Sequence, residues 1–292
     1  CVLGASDKAE PQAIEQRLAD FDPGSCAVPG FRVRLSASAA AAQFAASACW
    51  DEACEGLARA HGRPGVPVLA AVSAVAQAQD RTLGELLDAL VVGYETGGRI
   101  GAALRIAPGM HVDATWPSFG VAAAMLRLAG GTAQQAAQAI AIAACQMPYS
   151  LYAPVEAGAT GRNTYLAHAA QLGMLAGAAA LAGVGAPADA IDTLQRLALA
   201  SAPPGAPLAG PGEWLMQEGY LKPFAAVRHV HYGAAAAIAL RERLAGRLAA
   251  ITRLRLHTYP EALTYCGNRN PATALAAQFS LSFGIARALV AG

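Results

Sequence analysis

Residues 82–104 read TLGELLDALVVGYETGGRIGAAL and indicate the fold class more directly than any other stretch of the chain. Thr82 precedes Glu85 by three residues, which is the spacing of a capping box, in which two side chains satisfy backbone amides of the first helical turn. Leu86 and Leu87 follow as the first apolar pair. The sequence therefore predicts a long helix over residues 82–104.

Alanine-rich and glycine-rich segments surround this helix and predict tight packing of further helices. We expect helices at about 67–79, 117–129, 132–146, 163–183 and 186–199, with Pro187 in the first turn of the last. Residues 36–60 also carry the pattern of a helix of small residues, which ends in the charged stretch DEACE. Residues 31–35 alternate like the end of a strand.

Residues 201–212, SAPPGAPLAGPG, form a linker rich in proline and glycine and are the best candidate for a domain boundary. Beyond it we expect helices over 232–248 and 271–290, and residues 251–259 alternate apolar and polar side chains as a half-buried strand does. Since a single strand cannot form a sheet, this part is expected to be incomplete. The expected fold is mainly α, with a helical domain at 1–221 and part of a smaller α+β domain at 222–292.

The composition argues against two broad classes of protein. Hydrophobic residues make up 55% of the 292 residues, but the longest weakly polar run, 172–186, is shorter than the roughly 20 apolar residues of a membrane-spanning helix. The net charge of +1 gives no electrostatic footprint for nucleic acid. We expect a cytoplasmic protein whose partner is a small molecule, not a membrane or a nucleic acid.

The six cysteines have no spacing typical of a metal site or an iron–sulfur cluster, and none forms a C-x-x-C pair. Buried free thiols are the expectation for a chain of this size without a secretory signal. The chain begins at Cys1 without a methionine, so we expect a trimmed N-terminus. Lys8 and Lys222 are the two lysines among 21 basic residues, which singles each out as a candidate chemical group.

The first segment that can carry chemistry is residues 109–120, GMHVDATWPSFG. His111 lies in a glycine-containing turn between two helices, with Thr115 and Ser118 nearby. Backbone amides at a helix start favour an anion, so His111 can bind or protonate a carboxylate there. The alternative is a histidine that merely caps a helix.

The second segment is residues 158–171, GATGRNTYLAHAAQ, which leads from a loop into a long helix. Arg162 can bind a carboxylate through two parallel hydrogen bonds. A cation at a helix start is unfavourable with the helix dipole, so an anionic partner explains Arg162 better than a surface position does. His168 is three residues past Tyr165 on the same face and is interpreted as a packed core histidine.

The third segment, residues 220–232, gathers one lysine, one arginine, two histidines and two tyrosines within 13 residues. Such a density in an apolar chain indicates a site that handles an anion. A solvated basic loop is the alternative. Metal binding by His229 and His231 would need a third ligand, and none has a characteristic spacing.

The fourth segment is Trp50-Asp51-Glu52, with His61 and Arg63 downstream. Adjacent carboxylates can supply a general base when burial or a like charge raises one pKa. The alternative is the polar end of a helix.

Together these segments resemble the MmgE/PrpD family through their order and spacing, over nearly the whole chain. Besides the acidic pair and the histidines, five motifs carry the resemblance. They are Pro67-Val68-Leu69, Gly93-Tyr94-Glu95 ahead of Arg99, Arg162-Asn163-x-Tyr165, Lys222-Pro223-Phe224 and Phe279-Ser280-Leu281. The resemblance implies a helical domain, an α+β lid of which this chain would hold the beginning, and a homodimer. It also implies an enzyme that works without a cofactor or a metal.

The resemblance assigns site residues as well. Asp51, in the acidic pair with Glu52, is expected to be catalytic, together with His111, His231 and Lys222. The residues expected to bind substrate are Arg63, Thr115, Arg162, Tyr165 and Arg228.

Two of these positions depart from the family pattern. Arg63 stands where the family often has a histidine, and that histidine is a candidate for proton transfer in the decarboxylases, so the change argues against decarboxylation. Arg162 stands where the better-known members have a lysine. Arginine keeps the charge but removes a group that can lose its proton near neutral pH, which favours anion binding over acid–base use.

The expected function is that of a cofactor-independent lyase of the dehydratase type, which removes a proton next to a carboxylate of a small di- or tricarboxylate. Arg162 and Lys222 would stabilise the developing enolate charge. Asp51 or a neutral histidine would take the proton, and His111 or His231 would protonate the leaving hydroxyl. The alternatives are an epimerase, an isomerase or a decarboxylase of a similar acid, or a non-catalytic family member that binds a carboxylate.

Overall fold

The computed structural model describes all 292 residues, and most of them are helical, which confirms the mainly α fold class. The helices are α1 (Val2–Ala5), α2 (Ala9–Phe21), α3 (Ala37–Cys49), α4 (Gly65–Ala78), α5 (Leu83–Ala103), α6 (Pro117–Leu128), α7 (Ala133–Cys145), α8 (Ala153–Glu156), α9 (Tyr165–Leu181), α10 (Ala190–Leu197), α11 (Arg228–Leu244), α12 (Pro260–Cys266), α13 (Ala274–Gln278) and α14 (Leu281–Ala291). The strands are β1 (Pro23–Cys26), β2 (Glu55–Gly56) and β3 (Tyr220–Leu221). Short 3-10 turns lie at Val112–Ala114, Thr160–Thr164, Leu215–Glu218 and Leu248–Ala250.

The predicted capping box at the start of α5 is confirmed. Thr82 Oγ1 accepts a hydrogen bond from the Glu85 amide at 3.3 Å, and Glu85 Oε2 accepts one from the Thr82 amide at 2.8 Å. A cap of this kind contributes about 1 kcal/mol to stability. The long helix therefore starts where the sequence pattern places it.

The strand predicted over residues 251–259 is wrong, because the chain there is neither helix nor strand. Leu254 and Leu256, which the alternation assigns to a buried face, are 43% and 37% exposed. A strand needs a hydrogen-bonded neighbour, and this segment pairs with no other strand. Alternation of apolar and polar letters alone does not create a sheet.

Three helix boundaries also differ from the prediction. The helix of small residues ends at Cys49 and does not continue to residue 60. Helix α10 begins at Ala190, so Pro187 precedes the helix instead of lying in its first turn. The predicted last helix is interrupted, because α13 ends at Gln278 and Ser280 caps α14, where its hydroxyl accepts a hydrogen bond from the Phe283 amide at 3.2 Å.

The chain divides into two compact units. Unit 1 consists of Cys1–Trp50, Cys54–Tyr152 and Asn163–Leu221, and unit 2 of Asp51–Ala53, Ala153–Arg162 and Lys222–Gly292. Unit 2 therefore includes two short segments from far upstream. The proline-rich and glycine-rich residues 201–212 belong to unit 1.

Helix α6 lies at the centre of unit 1, where it packs against α4, α5, α7 and α9. Nearly all of its residues are buried. A Cβ atom added at Gly93 of α5 would lie 2.8 Å from the Gly120 carbonyl oxygen of α6. The close approach of these two helices therefore requires glycine, and the small residues of the sequence serve the tight packing that they predict.

The linker at 201–212 is tied to α5. Arg99 Nη1 donates a hydrogen bond of 2.6 Å to the Ala209 carbonyl, and Glu95 Oε1 accepts one of 2.8 Å from the Met216 amide. The chain then enters β3, which pairs with β2 in antiparallel fashion. These contacts fix the path of the chain immediately before Lys222.

Unit 2 is built on α11, which packs against α12 and α14. Its buried apolar side chains include Val230 and Ala234 from α11, and Leu281 and Ile285 from α14.

None of the helices of the protein combines the length and the apolar character that crossing a bilayer would require.

Candidate functional site

Three segments of unit 2 meet at a buried group of charges. The Glu52 carboxylate pairs with the Arg162 guanidinium through Oε1 and with the Lys222 ammonium through Oε2. The side chains of Glu52, Arg162 and Lys222 are 1%, 0% and 4% exposed. We call these three residues the Glu52 cluster. Counted by themselves, the three side chains carry two positive charges and one negative charge, a surplus of one positive charge.

The local backbone structure positions each of these side chains. Glu52 follows the end of α3 with φ of 52°, in the left-handed region that costs a residue with a Cβ roughly 1–2 kcal/mol. Arg162 lies in the turn Thr160–Thr164, and its guanidinium lies 5.4 Å from the centre of the Phe279 ring. Lys222 follows β3 directly. A backbone strained at a buried charge is typical of functional sites.

Lys222 has capacity to bind an anion. An ammonium group has three donors, and Glu52 is the one acceptor that Lys222 Nζ contacts. Buried charges are costly unless they are paired and hydrogen-bonded. A small carboxylate would therefore meet both the remaining donors and the surplus positive charge.

Cys266 lies close enough to the Glu52 cluster to respond to its charge. Burial, reinforced by the negative charge of Glu52, raises the pKa of the Cys266 thiol to about 12. The group therefore stays a thiol at neutral pH. It is not suited to be a nucleophile, because the thiolate is the reactive form.

His231 is a buried neutral histidine of unit 2. Its Nε2 lies 2.9 Å from the Ala226 carbonyl oxygen. A carbonyl accepts hydrogen bonds and cannot donate them, so Nε2 carries the proton and Nδ1 keeps a lone pair. Burial lowers the pKa of His231, and the Lys222 charge adds to this effect, while the hydrogen bond to Ala226 and the Glu52 charge oppose it. The ring can therefore accept a proton at Nδ1.

His111 is held in unit 1 by backbone and ring contacts. Its amide donates to the Ser150 carbonyl at 2.9 Å, and the ring stacks on Tyr152 at 5.8 Å and meets the edge of Tyr165 at 5.4 Å. Nδ1 accepts a hydrogen bond of 3.1 Å from the Asp113 amide, which caps the turn Val112–Ala114. The alternative raised from the sequence, a histidine that caps a helix, thus holds for the Nδ1 atom of His111.

Arg63 makes a buried ion pair in unit 1. Its Nη2 lies 2.6 Å from Asp113 Oδ2 and its Nε lies 3.3 Å from Asp113 Oδ1, while Nη1 lies 3.3 Å from Cys54 Sγ. All three nitrogens of the guanidinium therefore have partners within the protein. A substrate contact of Arg63 stays a prediction.

Thr115 and Tyr165 also direct their hydroxyl groups to backbone carbonyls of unit 1. Thr115 Oγ1 donates to Val112 at 2.6 Å, and Tyr165 Oη donates to Leu151 at 2.9 Å. These two hydrogen bonds help to hold the segments around His111 in place.

Asp51, Arg228 and His229 also lie in unit 2. Asp51 is partly buried beside Glu52. Arg228 begins α11, and although burial raises the pKa of the Tyr259 phenol, the Arg228 charge opposes this effect. His229 Nδ1 lies 2.6 Å from Tyr259 Oη. His168 is exposed, so its interpretation as a core histidine is wrong.

The structure thus brings Arg162, Lys222 and His231 into unit 2, and His111, Arg63, Thr115 and Tyr165 into unit 1. No three His, Cys, Asp or Glu side chains meet as ligands that could hold a metal ion.

Sequence reasoning missed two residues of these sites. The sequence presents Glu52 only as the neighbour of Asp51, and two adjacent acidic residues do not reveal which of them pairs with a distant cation. Asp113 follows His111 by two residues, a spacing that could have suggested a local contact. Its ion pair with Arg63 joins residues 50 positions apart, and no local pattern predicts such a pair.

Two family models match the chain. The MmgE/PrpD N-terminal domain matches residues 1–202, and the MmgE/PrpD C-terminal domain matches residues 224–292. No curated protein matches the chain.

Proposed function

Because the chain belongs to the MmgE/PrpD family, which includes hydro-lyases, we propose that it is a cofactor-independent lyase of the dehydratase type. Its substrate is a small hydroxy di- or tricarboxylate. The reaction removes a proton next to a carboxylate and releases the hydroxyl group as water. The observation that carries the proposal is the buried Glu52 cluster with its surplus positive charge.

Binding of the substrate rests on Lys222 and Arg162. A substrate carboxylate accepts hydrogen bonds from the remaining donors of Lys222 and is attracted by the surplus charge of the cluster. Glu52 holds the two cations together before substrate arrives, so little reorganisation is needed. The same charges stabilise the enolate that forms when the neighbouring proton leaves, since negative charge then grows on the carboxylate.

Proton transfer rests on His231. Its lone pair at Nδ1 accepts the proton from the substrate carbon, and the two electrons of that bond are held in the enolate until they form the double bond as the hydroxyl leaves. The protonated ring then returns its proton to the leaving hydroxyl, so that water departs and His231 is neutral again. A lowered pKa suits this role, because the ring is free to accept a proton at neutral pH. Asp51 is the alternative base.

The test is incubation of the protein in heavy water with a panel of hydroxy di- and tricarboxylates, followed by NMR. We expect one acid to lose water and form an alkene. Lys222→Met should slow the reaction by a factor equivalent to about 2–5 kcal/mol, while Lys8→Met, which changes the other lysine of the chain in the same way, should leave the rate unchanged.

Other outcomes would assign other functions. Deuterium at the carbon next to the carboxylate without loss of water would favour an epimerase or an isomerase, and loss of carbon dioxide would favour a decarboxylase. Thermal stabilisation by the acids without any exchange would favour a non-catalytic carboxylate-binding protein. Each of these results contradicts the proposed dehydration. A homodimer and a cytoplasmic location stay predictions.

A further inference from the structure

The aromatic ring of Phe279 lies against the buried cation of Arg162. The central carbon of the guanidinium, Cζ, lies over the ring at 5.4 Å from its centre, within the roughly 6 Å over which the face of an aromatic ring attracts a cation. The Arg162 side chain is 0% exposed and Phe279 is 5% exposed. Since solvent weakens such an attraction, a pair as buried as this one lies at the strong end of its range.

The backbone on both sides of Phe279 is anchored, so the ring is held in place. The Gln278 carbonyl accepts a hydrogen bond of 3.0 Å from the Val227 amide. The Ser280 hydroxyl donates one of 2.5 Å to the Asn268 carbonyl. The ring therefore lies between two fixed points at the junction of α13 and α14.

The loop that carries Arg162 is tied to the helix that precedes Phe279. Thr273, which caps α13, donates a hydrogen bond of 3.0 Å from its hydroxyl to the Gly158 carbonyl. The same hydroxyl accepts one of 3.1 Å from the Ala276 amide, and the Ala276 carbonyl accepts one of 3.2 Å from the Phe279 amide. This chain of hydrogen bonds within unit 2 links the backbone of the cation to the backbone of the ring.

An aromatic ring stabilises a buried cation in a different way from a carboxylate. The face of the ring is negative because of its quadrupole, but the ring has no net charge. A carboxylate such as that of Glu52 offsets the desolvation of a guanidinium and also cancels its charge. Phe279 therefore stabilises the Arg162 guanidinium and leaves the charge balance of the Glu52 cluster unchanged.

We propose that Phe279 is a positioning residue, whose ring face holds the Arg162 guanidinium in the place where it meets Glu52 and a substrate carboxylate. The first half of this statement, the hold on Arg162, concerns the free protein alone. The second half, the effect on the substrate, rests on the proposed function. A guanidinium that is held beforehand need not be ordered when the anion arrives, and such preorganisation favours binding.

The first half is tested by thermal unfolding of the full chain with fluorinated phenylalanines at position 279, without any ligand. Each fluorine withdraws electron density from the face of the ring and changes its size little. We expect the midpoint of unfolding to fall stepwise with one, two and three fluorines, by about 2–4 °C in total. The same series in Arg162→Met should show no such fall, because the cation is gone.

A second pair of analogues decides the question even where Arg162→Met does not fold. A para-cyano and a para-bromo group on the ring are similar in size, but the cyano group withdraws far more electron density. In the protein that keeps Arg162, the cyano analogue should therefore unfold at the lower temperature. Equal midpoints for the two analogues, a fluorine series without a trend, or an equal fall in Arg162→Met would overturn the hold on Arg162.

The second half is tested by isothermal titration calorimetry with propane-1,2,3-tricarboxylate, at a temperature at which every variant is folded. Phe279→Leu keeps an apolar side chain but removes the ring face, so it should bind the acid at least about threefold more weakly than the wild type. The trifluorinated ring keeps its shape and should also bind more weakly. Phe283→Leu changes an exposed phenylalanine of α14 and should bind as the wild type does.

The outcomes separate this inference from the proposed function. Wild-type affinity in Phe279→Leu would overturn the positioning role. Weaker binding in Phe279→Leu but not with the trifluorinated ring would overturn it as well, because the shape of the side chain and not the charge on its face would then matter. Absence of binding by the wild type would overturn the proposed function and the second half with it, while the unfolding series still decides the hold on Arg162.

Discussion

Replacing Glu52 with glutamine probes the charge balance of the Glu52 cluster. The substitution keeps the size of the side chain and removes its negative charge. The Arg162 and Lys222 side chains, which are 0% and 4% exposed, would then lie buried together without a carboxylate. Two like charges near each other in a poorly solvated place repel one another and lose the interaction that offset their desolvation.

The size of the effect follows from this burial. Removal of one partner from a buried ion pair costs about 3–5 kcal/mol. The substitution does not relieve the strain of the left-handed backbone at residue 52, because glutamine has a Cβ atom just as glutamate does. For a large domain each kcal/mol lowers the midpoint of thermal unfolding by about 2 °C, so the expected fall is about 6–10 °C.

The assay is thermal unfolding followed by circular dichroism, with Glu156→Gln as the matched control. Glu156 is an exposed glutamate of the same unit, and its substitution should change the midpoint very little. A tricarboxylate should restore part of the loss in Glu52→Gln, because it supplies the missing negative charge. Surface substitutions usually change the free energy of unfolding by no more than about 0.5 kcal/mol. If Glu52→Gln changes it by no more than this, the account of a tightly paired buried cluster is wrong.

Three further predictions concern Lys222, His231 and Arg99. Lys222→Ala should lower kcat/KM by a factor equivalent to about 2–5 kcal/mol, and unchanged kinetics would remove Lys222 from the site. Because the fold lowers the pKa of His231, its contribution to stability is complete above the unfolded value of about 6.5 and is lost as the pH falls from there through the folded value. Acid unfolding should therefore be less steep in His231→Gln than in His257→Gln, which changes an exposed histidine, and equal pH profiles would count against a buried neutral ring. Arg99→Met removes the hydrogen bond to the linker and should speed proteolytic cleavage within residues 201–212, whereas Arg17→Met at an exposed site should not; equal cleavage rates would mean that Arg99 does not hold the linker.

Local signals in the sequence predicted the helical part of the fold well. The Thr82–Glu85 spacing describes contacts within one helical turn, so it needs no knowledge of the rest of the chain. The strand at 251–259 failed for the opposite reason. Alternation describes one chain, but a strand exists through its neighbour, and the sequence cannot say whether Leu254 and Leu256 find a buried face.

The sequence allowed the residues of the candidate site to be predicted better than the ion pairs that they form. The resemblance pointed to the acidic pair, Arg162 and Lys222, and the structure brings Arg162 and Lys222 together at Glu52. It did not indicate that Glu52 is the acidic residue that pairs with both cations, with a left-handed backbone at residue 52. The partner of Arg63 lies 50 residues away, and only the folded chain makes that contact visible.

The central claim is that the Glu52 cluster attracts an organic polyanion. Isothermal titration calorimetry with propane-1,2,3-tricarboxylate tests it most directly, since this acid has no hydroxyl group to lose and reports binding alone. We predict that the wild type binds the acid but not its uncharged trimethyl ester, and that Lys222→Met binds it at least about tenfold more weakly, equivalent to about 1.4 kcal/mol. Equal affinity of the wild type and Lys222→Met for the acid, or equal binding of acid and ester, would contradict the claim.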